Sequence, residues 1–101
     1  MNNAEFFFAA QKFSEAEKVL PKVEHSAKAL IMSSFCYYTI NFHEEVISSL
    51  EYFLKKYPAD KNIMYAHWTL QLLTYRKRRL EQKKNLTHFY FFAGILIHIA
   101  Y

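Results

Sequence analysis

A short pattern occurs twice in this chain of 101 residues. In the first copy, Phe13 is followed by the small residue Ala16 and by Leu20. In the second copy, Val46 and Leu50 occupy the corresponding places, each 30 residues later. A period near this value, about 34 residues in the best-known case, is typical of helix pairs that stack into curved surfaces for holding other proteins. The repeat therefore favours a helical array and indicates binding rather than catalysis.

The composition agrees with an all-α fold. Hydrophobic residues make up 52% of the chain and aromatic residues 19%, which is enough apolar surface for a packed core and excludes a disordered polymer. One glycine and two prolines leave few sharp turns, so hairpins and barrels are disfavoured. A chain of this length forms one domain at most.

Two helices are expected before Pro21. The first covers residues 3–11. Ser14 then resembles an N-cap, and Glu17 three residues later would complete a Ser-x-x-Glu capping box that opens a second helix. Pro21 disfavours a helix interior, so this second helix should be short and break near Leu20.

The third helix has the clearest pattern and should cover residues 24–40. Asn41 is suited to end it, because asparagine tolerates the left-handed conformation. Apolar and small residues recur at i, i+3, i+4 and i+7 along this stretch. They are Val23, Ala27, Leu30, Ile31, Ser34, Phe35 and Tyr38.

A fourth helix follows at once. Glu44 and Glu45 lie in its first turn and Lys55 and Lys56 in its last, matching the helix dipole at both ends, and Pro58 stops it. Its apolar stripe consists of Val46, Ile47, Leu50, Phe53, Leu54 and Tyr57.

Asp60 is a suitable N-cap for a fifth helix that runs to about Lys83. Residues 85–101 are almost wholly apolar and are expected to form a final helix or a short strand-prone tail. The sequence thus predicts tetratricopeptide (TPR)-like antiparallel helix pairs, a fragment of an α-solenoid, over residues 1–84. The repeats are clearest over residues 24–75.

Three stretches carry a more specific likeness. They are LIMSSFCYY at residues 30–38, EYFLKKYP at residues 51–58, and the pairs Lys-Asn and Tyr-Ala within residues 61–66. Together they resemble the BamD (ComL-like) family, TPR lipoproteins of the outer-membrane β-barrel assembly machinery. The resemblance covers about half of the chain firmly and residues 5–24 loosely.

This resemblance implies a non-catalytic scaffold, without cofactor, on the periplasmic face of the outer membrane. Its expected partners are barrel-assembly subunits or unfolded outer-membrane proteins, and not nucleic acid. The family begins with a signal peptide and a lipid-bearing cysteine, which this sequence does not show, so the chain expressed alone is expected to be cytoplasmic. Because the likeness fades after Tyr75, our hypothesis is a truncated or degenerate copy with a frame-shifted tail at residues 85–101.

A TPR groove binds extended peptides along the first helix of each pair, here residues 3–11, 24–40 and 61–83. Tyrosine and methionine offer apolar area with some adaptability, which suits peptide contact. The alternative is ordinary packing between repeats, since aromatic residues at helical spacing are usually core. The candidate groove residues are Lys28, Met32, Tyr37, Tyr38, Met64 and His67.

A basic patch supports an alternative function, that of a small basic helical protein that binds a membrane surface or nucleic acid through phosphates. The simpler interpretation is a solvated face, because short basic runs are common and weakly specific. The patch consists of Arg76, Lys77, Arg78, Arg79, Lys83 and Lys84.

The sequence contains no pattern typical of a catalytic or metal-binding site. The five histidines share no ligand spacing, and a single glycine excludes a glycine-rich phosphate loop. Cys36 lies in an apolar helical pattern and is expected to be buried and inert. We therefore expect no catalytic, cofactor-binding or metal-ligating residue and no enzymatic activity.

Overall fold

The computed structural model describes residues 2–100 of the chain, and the surroundings of the side chains for residues 2–82. It contains four helices in chain order: α1 (Asn3–Val19), α2 (Val23–Thr39), α3 (His43–Lys56) and α4 (Ile63–Ala100). Each helix packs against the next, and residues 2–100 contain no strand. The predicted all-α fold of antiparallel helix pairs is confirmed.

α1 is a single helix where the sequence predicted two. Ser14 lies in its interior, so the predicted capping box of Ser14 and Glu17 is wrong. The N-cap is Asn2, whose side-chain oxygen accepts a hydrogen bond from the backbone N–H of Glu5 at 2.9 Å. The stretch AAQK at residues 9–12 consists of strong helix formers, and it holds neither the glycine nor the proline that would end a helix there. α1 does end at Val19, as predicted from the proline that follows.

Small residues bring α1 and α2 close together. Ala10 on α1 and Ala27 on α2 are fully buried. Ser33 of α2 is also buried, and its hydroxyl donates a 2.7 Å hydrogen bond to the backbone oxygen of Ala10. Such a bond needs the two helices to approach closely, which alanine and serine allow because their side chains are short.

The turn from α2 to α3 is a Schellman motif. Asn41 has φ 62°, the left-handed conformation that its sequence position predicted. Its N–H donates to the backbone oxygen of Tyr38, and the N–H of Phe42 donates to that of Tyr37 at 2.9 Å. The rings of Tyr37 and Phe42 stack with their centroids 6.3 Å apart, which supplies the hydrophobic contact that accompanies this motif.

Replacing Asn41 by valine is expected to lower the free energy of unfolding by about 1–2 kcal/mol, because a β-branched residue is strained at positive φ. Asn41→Gly serves as the control and should cost nothing, since glycine adopts this conformation freely. Urea unfolding of the three proteins measures the difference. Equal losses in both variants would mean that the asparagine side chain, and not the backbone angle, stabilises the turn.

The core lies between α2 and α3 and extends to α4. Val46, Leu50 and Phe53 of α3 are completely buried, as the predicted apolar stripe required. The remaining buried members of this cluster are Ala27, Leu30, Ile31, Tyr57, Ala66 and Leu73. Two residues of the predicted α2 stripe, Val23 and Phe35, are instead exposed. Cys36 is buried as predicted, and burial raises the pKa of its thiol.

α4 begins later and continues further than the sequence predicted. A carboxylate oxygen of Asp60 accepts from the N–H of Asn62 at 2.8 Å, so Asp60 organises the turn before Ile63 rather than capping the helix itself. The helix then continues without a break through residue 85, where the sequence placed the start of a separate tail. The side chains of that predicted tail, and Tyr101, lie outside the described residues.

Candidate protein-binding groove

The exposed face of α2 carries two of the predicted groove residues. Lys28, Met32 and Phe35 follow one another at i, i+4 and i+7, so they share one side of the helix. All three are exposed, with Phe35 at 47%. An exposed phenylalanine next to an exposed methionine is apolar surface that the fold itself does not use.

Phe35 also joins α2 to α4. Its ring stacks on that of Tyr65, with centroids 5.1 Å apart and planes inclined by 12°. Tyr65 is half-buried, and the loss of solvent around its hydroxyl raises its pKa. The stacked pair lies at the surface between the two helices. We call this surface the groove; it consists of Lys28, Met32, Phe35, Tyr65 and Met64.

On α4 the two predicted groove residues project differently. Met64 and His67 are both exposed. Successive residues of a helix are rotated by about 100°, so His67 projects roughly 200° from Tyr65. Since Tyr65 faces α2, His67 points away from α2, whereas Met64 borders the groove.

Tyr37 and Tyr38 are engaged in packing. Both are half-buried against the core. The ring of Tyr37 meets Phe7 of α1 edge-on at 6.1 Å, in addition to the stack in the α2–α3 turn. The ring of Tyr38 lies 6.1 Å from that of His43. The contacts of Tyr37 and Tyr38 agree with the alternative interpretation, in which these aromatic rings pack between helices rather than bind a peptide.

The structure divides the basic patch. Arg76, Arg78 and Arg79 are exposed, and within residues 2–82 none of them forms an ion pair. Lys77 points the other way, and its ammonium lies 3.1 Å from a carboxylate oxygen of Glu44 on α3. The hydrogen bond to Glu44 raises the pKa of Lys77. The side chains of the last two predicted members, Lys83 and Lys84, lie outside the described residues.

A buried carboxylate is the feature that sequence reasoning missed. The side chain of Glu17 on α1 is only 1% exposed. One of its oxygens accepts hydrogen bonds from the hydroxyl of Tyr57 at 2.6 Å and from the ammonium of Lys56 at 2.8 Å, and the hydroxyl of Tyr52 is 3.5 Å away. The signal was present: Glu17 lies seven residues after Ala10, on the stripe of α1 that packs inward.

The partners of Glu17 determine its charge. Burial alone would raise the pKa of this carboxyl, but the hydrogen bonds from Lys56 and Tyr57 outweigh burial and lower it. The hydrogen bond to Glu17 in turn raises the pKa of Lys56, and burial together with the same carboxylate raises that of Tyr57. Glu17 is therefore ionised at neutral pH and ties α1 to the end of α3.

Two further observations concern other kinds of site. In the described part of the chain, no helix combines the length and hydropathy that crossing a bilayer requires. Within the same residues, no three potential metal-ligating side chains come together.

A family model described as YfiO, outer membrane lipoprotein, matches residues 1–90 of the chain. The chain belongs to this family. The match confirms the resemblance at the level of the BamD/YfiO lipoproteins, and the TPR-like helical fold of the family agrees with the four helices. It also continues past Tyr75, where the sequence comparison had placed the end of the likeness. No curated protein and no solved structure matches the chain.

Proposed function

We propose that the protein is a non-catalytic, TPR-like scaffold of outer-membrane β-barrel assembly that works at the periplasmic face of the outer membrane. The family match over residues 1–90 carries this proposal. Its partners are barrel-assembly subunits or unfolded outer-membrane proteins. The groove is the surface that holds them.

The chemistry of the groove suits an extended segment of a barrel protein. Such strands alternate apolar and polar side chains, so one edge of an unfolded strand is apolar. Met32, Phe35 and Tyr65 offer a matching apolar strip, and methionine adapts its shape to different side chains. Lys28 lies one turn away and can receive a carboxylate or a backbone carbonyl of the segment.

A labelled ten-residue peptide that alternates tyrosine or leucine with serine or threonine tests the groove. Met32→Asp is expected to weaken its binding about tenfold, because a carboxylate then faces apolar side chains (about 1.4 kcal/mol). Val23→Asp is the matched control, since it makes the same kind of change at an exposed position in the first turn of α2. Fluorescence anisotropy of the peptide reports the affinity.

Equal affinity in Met32→Asp and in the unaltered protein would contradict a groove at this place. Equal weakening in Met32→Asp and Val23→Asp would point instead to a general effect of added negative charge. Circular dichroism of both variants shows that neither change unfolds the chain.

The alternative function, binding of phosphates on a membrane surface or nucleic acid, is favoured by one observation. Arg76, Arg78 and Arg79 are exposed, and the last two border a cleft together with Tyr75 and Gln82. A salt titration separates the two functions. Binding through phosphates weakens steeply as salt rises, whereas apolar groove binding changes little.

A further inference from the structure

The helices α2 and α4 occupy equivalent places in the repeat. Each follows a proline, and the sequence from Pro21 aligns with the sequence from Pro58 at an offset of 37 residues. The offset of 30 residues that pairs Leu20 with Leu50 does not hold in the structure, because Leu20 is the C-cap of α1 whereas Leu50 lies inside α3. Three residues recur at the offset of 37 residues: Pro21 as Pro58, Ala29 as Ala66, and Tyr38 as Tyr75. Both alanines are buried. A surface of α2 can therefore be compared with the same surface of α4.

One face differs between the two helices. On α2, Ala27, Ile31 and Ser34 are buried, and Ala27 and Ile31 share the core cluster with α3. Their equivalents on α4 are Met64, Trp68 and Gln71, and all three are exposed. Trp68, the only tryptophan of the chain, is 73% exposed. Among the residues whose side chains are described, nothing covers the equivalent face of α4, which carries Met64 and Trp68.

We call this surface the outer face of α4; its apolar members are Met64, Trp68, Leu72 and Tyr75. They follow the helical spacing i, i+4, i+8 and i+11, so they form one continuous stripe. In helix-in-groove recognition, an apolar surface of this kind binds the apolar face of an amphipathic helix. Arg78 and Arg79 continue the stripe in the next turn.

The positive charges of Arg78 and Arg79 indicate which end of a bound helix would lie beside them. α3 runs antiparallel to α4, and its first turn, which contains Glu44, lies against Lys77. Lys77 faces the protein, whereas Arg78 and Arg79 lie on the outer side. An antiparallel helix on the outer face would bring its own first turn beside these arginines, and carboxylates there complement both the arginines and its dipole.

We propose that the outer face of α4 binds an amphipathic helix of a partner protein. This helix lies antiparallel to α4, packs an apolar stripe on Trp68 and its neighbours, and places carboxylates of its first turn against Arg78 and Arg79. The proposal rests on the protein-binding function proposed above and names a second surface with its own partner chemistry. The two surfaces adjoin along α4: Met64 belongs to both, and Trp68 and Leu72 lie on the same side of the helix as Tyr65.

The probe is a peptide with the sequence of residues 43–57, which has an acidic first turn, an apolar stripe and no tryptophan. Added to the full chain, it is expected to shift the emission of Trp68 to shorter wavelength, because the indole leaves water. Because Trp68 lies one helical turn from Tyr65, the same titration is run on Met32→Asp: binding on the outer face keeps the shift in this variant, whereas binding in the groove loses it.

The arginines are tested by charge reversal. Arg78→Glu together with Arg79→Glu is expected to weaken the peptide at least tenfold, since attraction becomes repulsion. Lys12→Glu together with Lys18→Glu is the control, because it changes the net charge equally at exposed positions of α1. A peptide with glutamine in place of both first-turn glutamates should lose affinity for the unaltered chain but not for the arginine variant, as coupled partners do.

Three results would overturn the proposal. The first is no change in Trp68 emission at peptide concentrations that saturate anisotropy. The second is the same affinity loss in the lysine control as in the arginine variant. The third is an emission shift without peptide that grows with protein concentration while the sedimenting mass doubles, because this would assign the surface to a second copy. None of these outcomes changes the result expected for peptide binding by Met32→Asp. Failure of the outer-face proposal is therefore distinguishable from failure of the groove proposal.

Discussion

Replacing Phe53 by alanine is expected to lower the free energy of unfolding by about 3–5 kcal/mol. Phe53 is completely buried at the centre of the core, where it contacts residues of its own and neighbouring helices. Its removal loses the transfer free energy of the ring and leaves a cavity. A domain of this size has roughly 5–15 kcal/mol of stability in total, so the loss is a large share of it.

Urea unfolding followed by circular dichroism measures this loss. Phe8→Ala is the matched control, because it removes the same ring from a position that is 60% exposed. It should change the stability by less than about 1 kcal/mol, the size of the exposed contact between Lys12 and the ring of Phe8. A similar loss in both variants would mean that α3 is not the centre of the core.

Replacing Glu17 by alanine is expected to cost about 2–3 kcal/mol at neutral pH, because the buried hydroxyl of Tyr57 loses its acceptor. Glu15→Ala, two residues away on the exposed side of α1, is the control and should be close to neutral. Glu17→Gln keeps an acceptor for Tyr57 but not the charge, so its loss should be intermediate.

The loss in Glu17→Ala should depend on pH in a defined direction. The partners of Glu17 lower its pKa in the folded protein below the ordinary value of 4.5. Stability from the ionised carboxylate is therefore fully present above pH 4.5 and disappears as the pH falls through the lowered pKa. Unfolding free energies of the two proteins, measured from pH 7 downwards, should converge below pH 4.5. A difference that grows on acidification would contradict an ionised Glu17.

α2 and α3 could be predicted from the sequence because several independent signals agree there. The apolar period of α3 is strict, the charges at its ends match its dipole, and Asn41 supplies the conformation that ends α2. Each of these signals is local, so it needs no knowledge of the rest of the fold.

The two ends of the chain are harder to predict, because the sequence there contains a helix start signal but no stop signal before it. Ser14 and Glu17 have the spacing of a capping box, yet residues 9–12 continue the helix and leave Ser14 in its interior. At the other end, the change in composition near residue 85 marks no break in the backbone, because lysine, asparagine and leucine are all compatible with a helix.

The position of Glu17 shows what single-sequence reasoning does not supply. Its partners lie on another helix, and nothing in their local pattern reveals the pairing. The same holds for the groove: the type and spacing of Met32 predict a contact residue, whereas the spacing of Phe35 predicts a core residue. Only the placement of Tyr65 beside Phe35 shows that this ring lies at the surface between two helices.

The buried carboxylate also has a consequence for the order in which the chain can fold. Its hydrogen-bonding partners come 35, 39 and 40 residues later in the sequence. During synthesis the residues of α1 and α2 are therefore made before Lys56 and Tyr57, so these two helices alone offer Glu17 neither its cation nor its hydroxyl partner. Helical arrays usually fold fast because most of their contacts are short-range, but these hydrogen bonds span 39 and 40 residues, so Glu17 can be fully paired only after the end of α3 has been made.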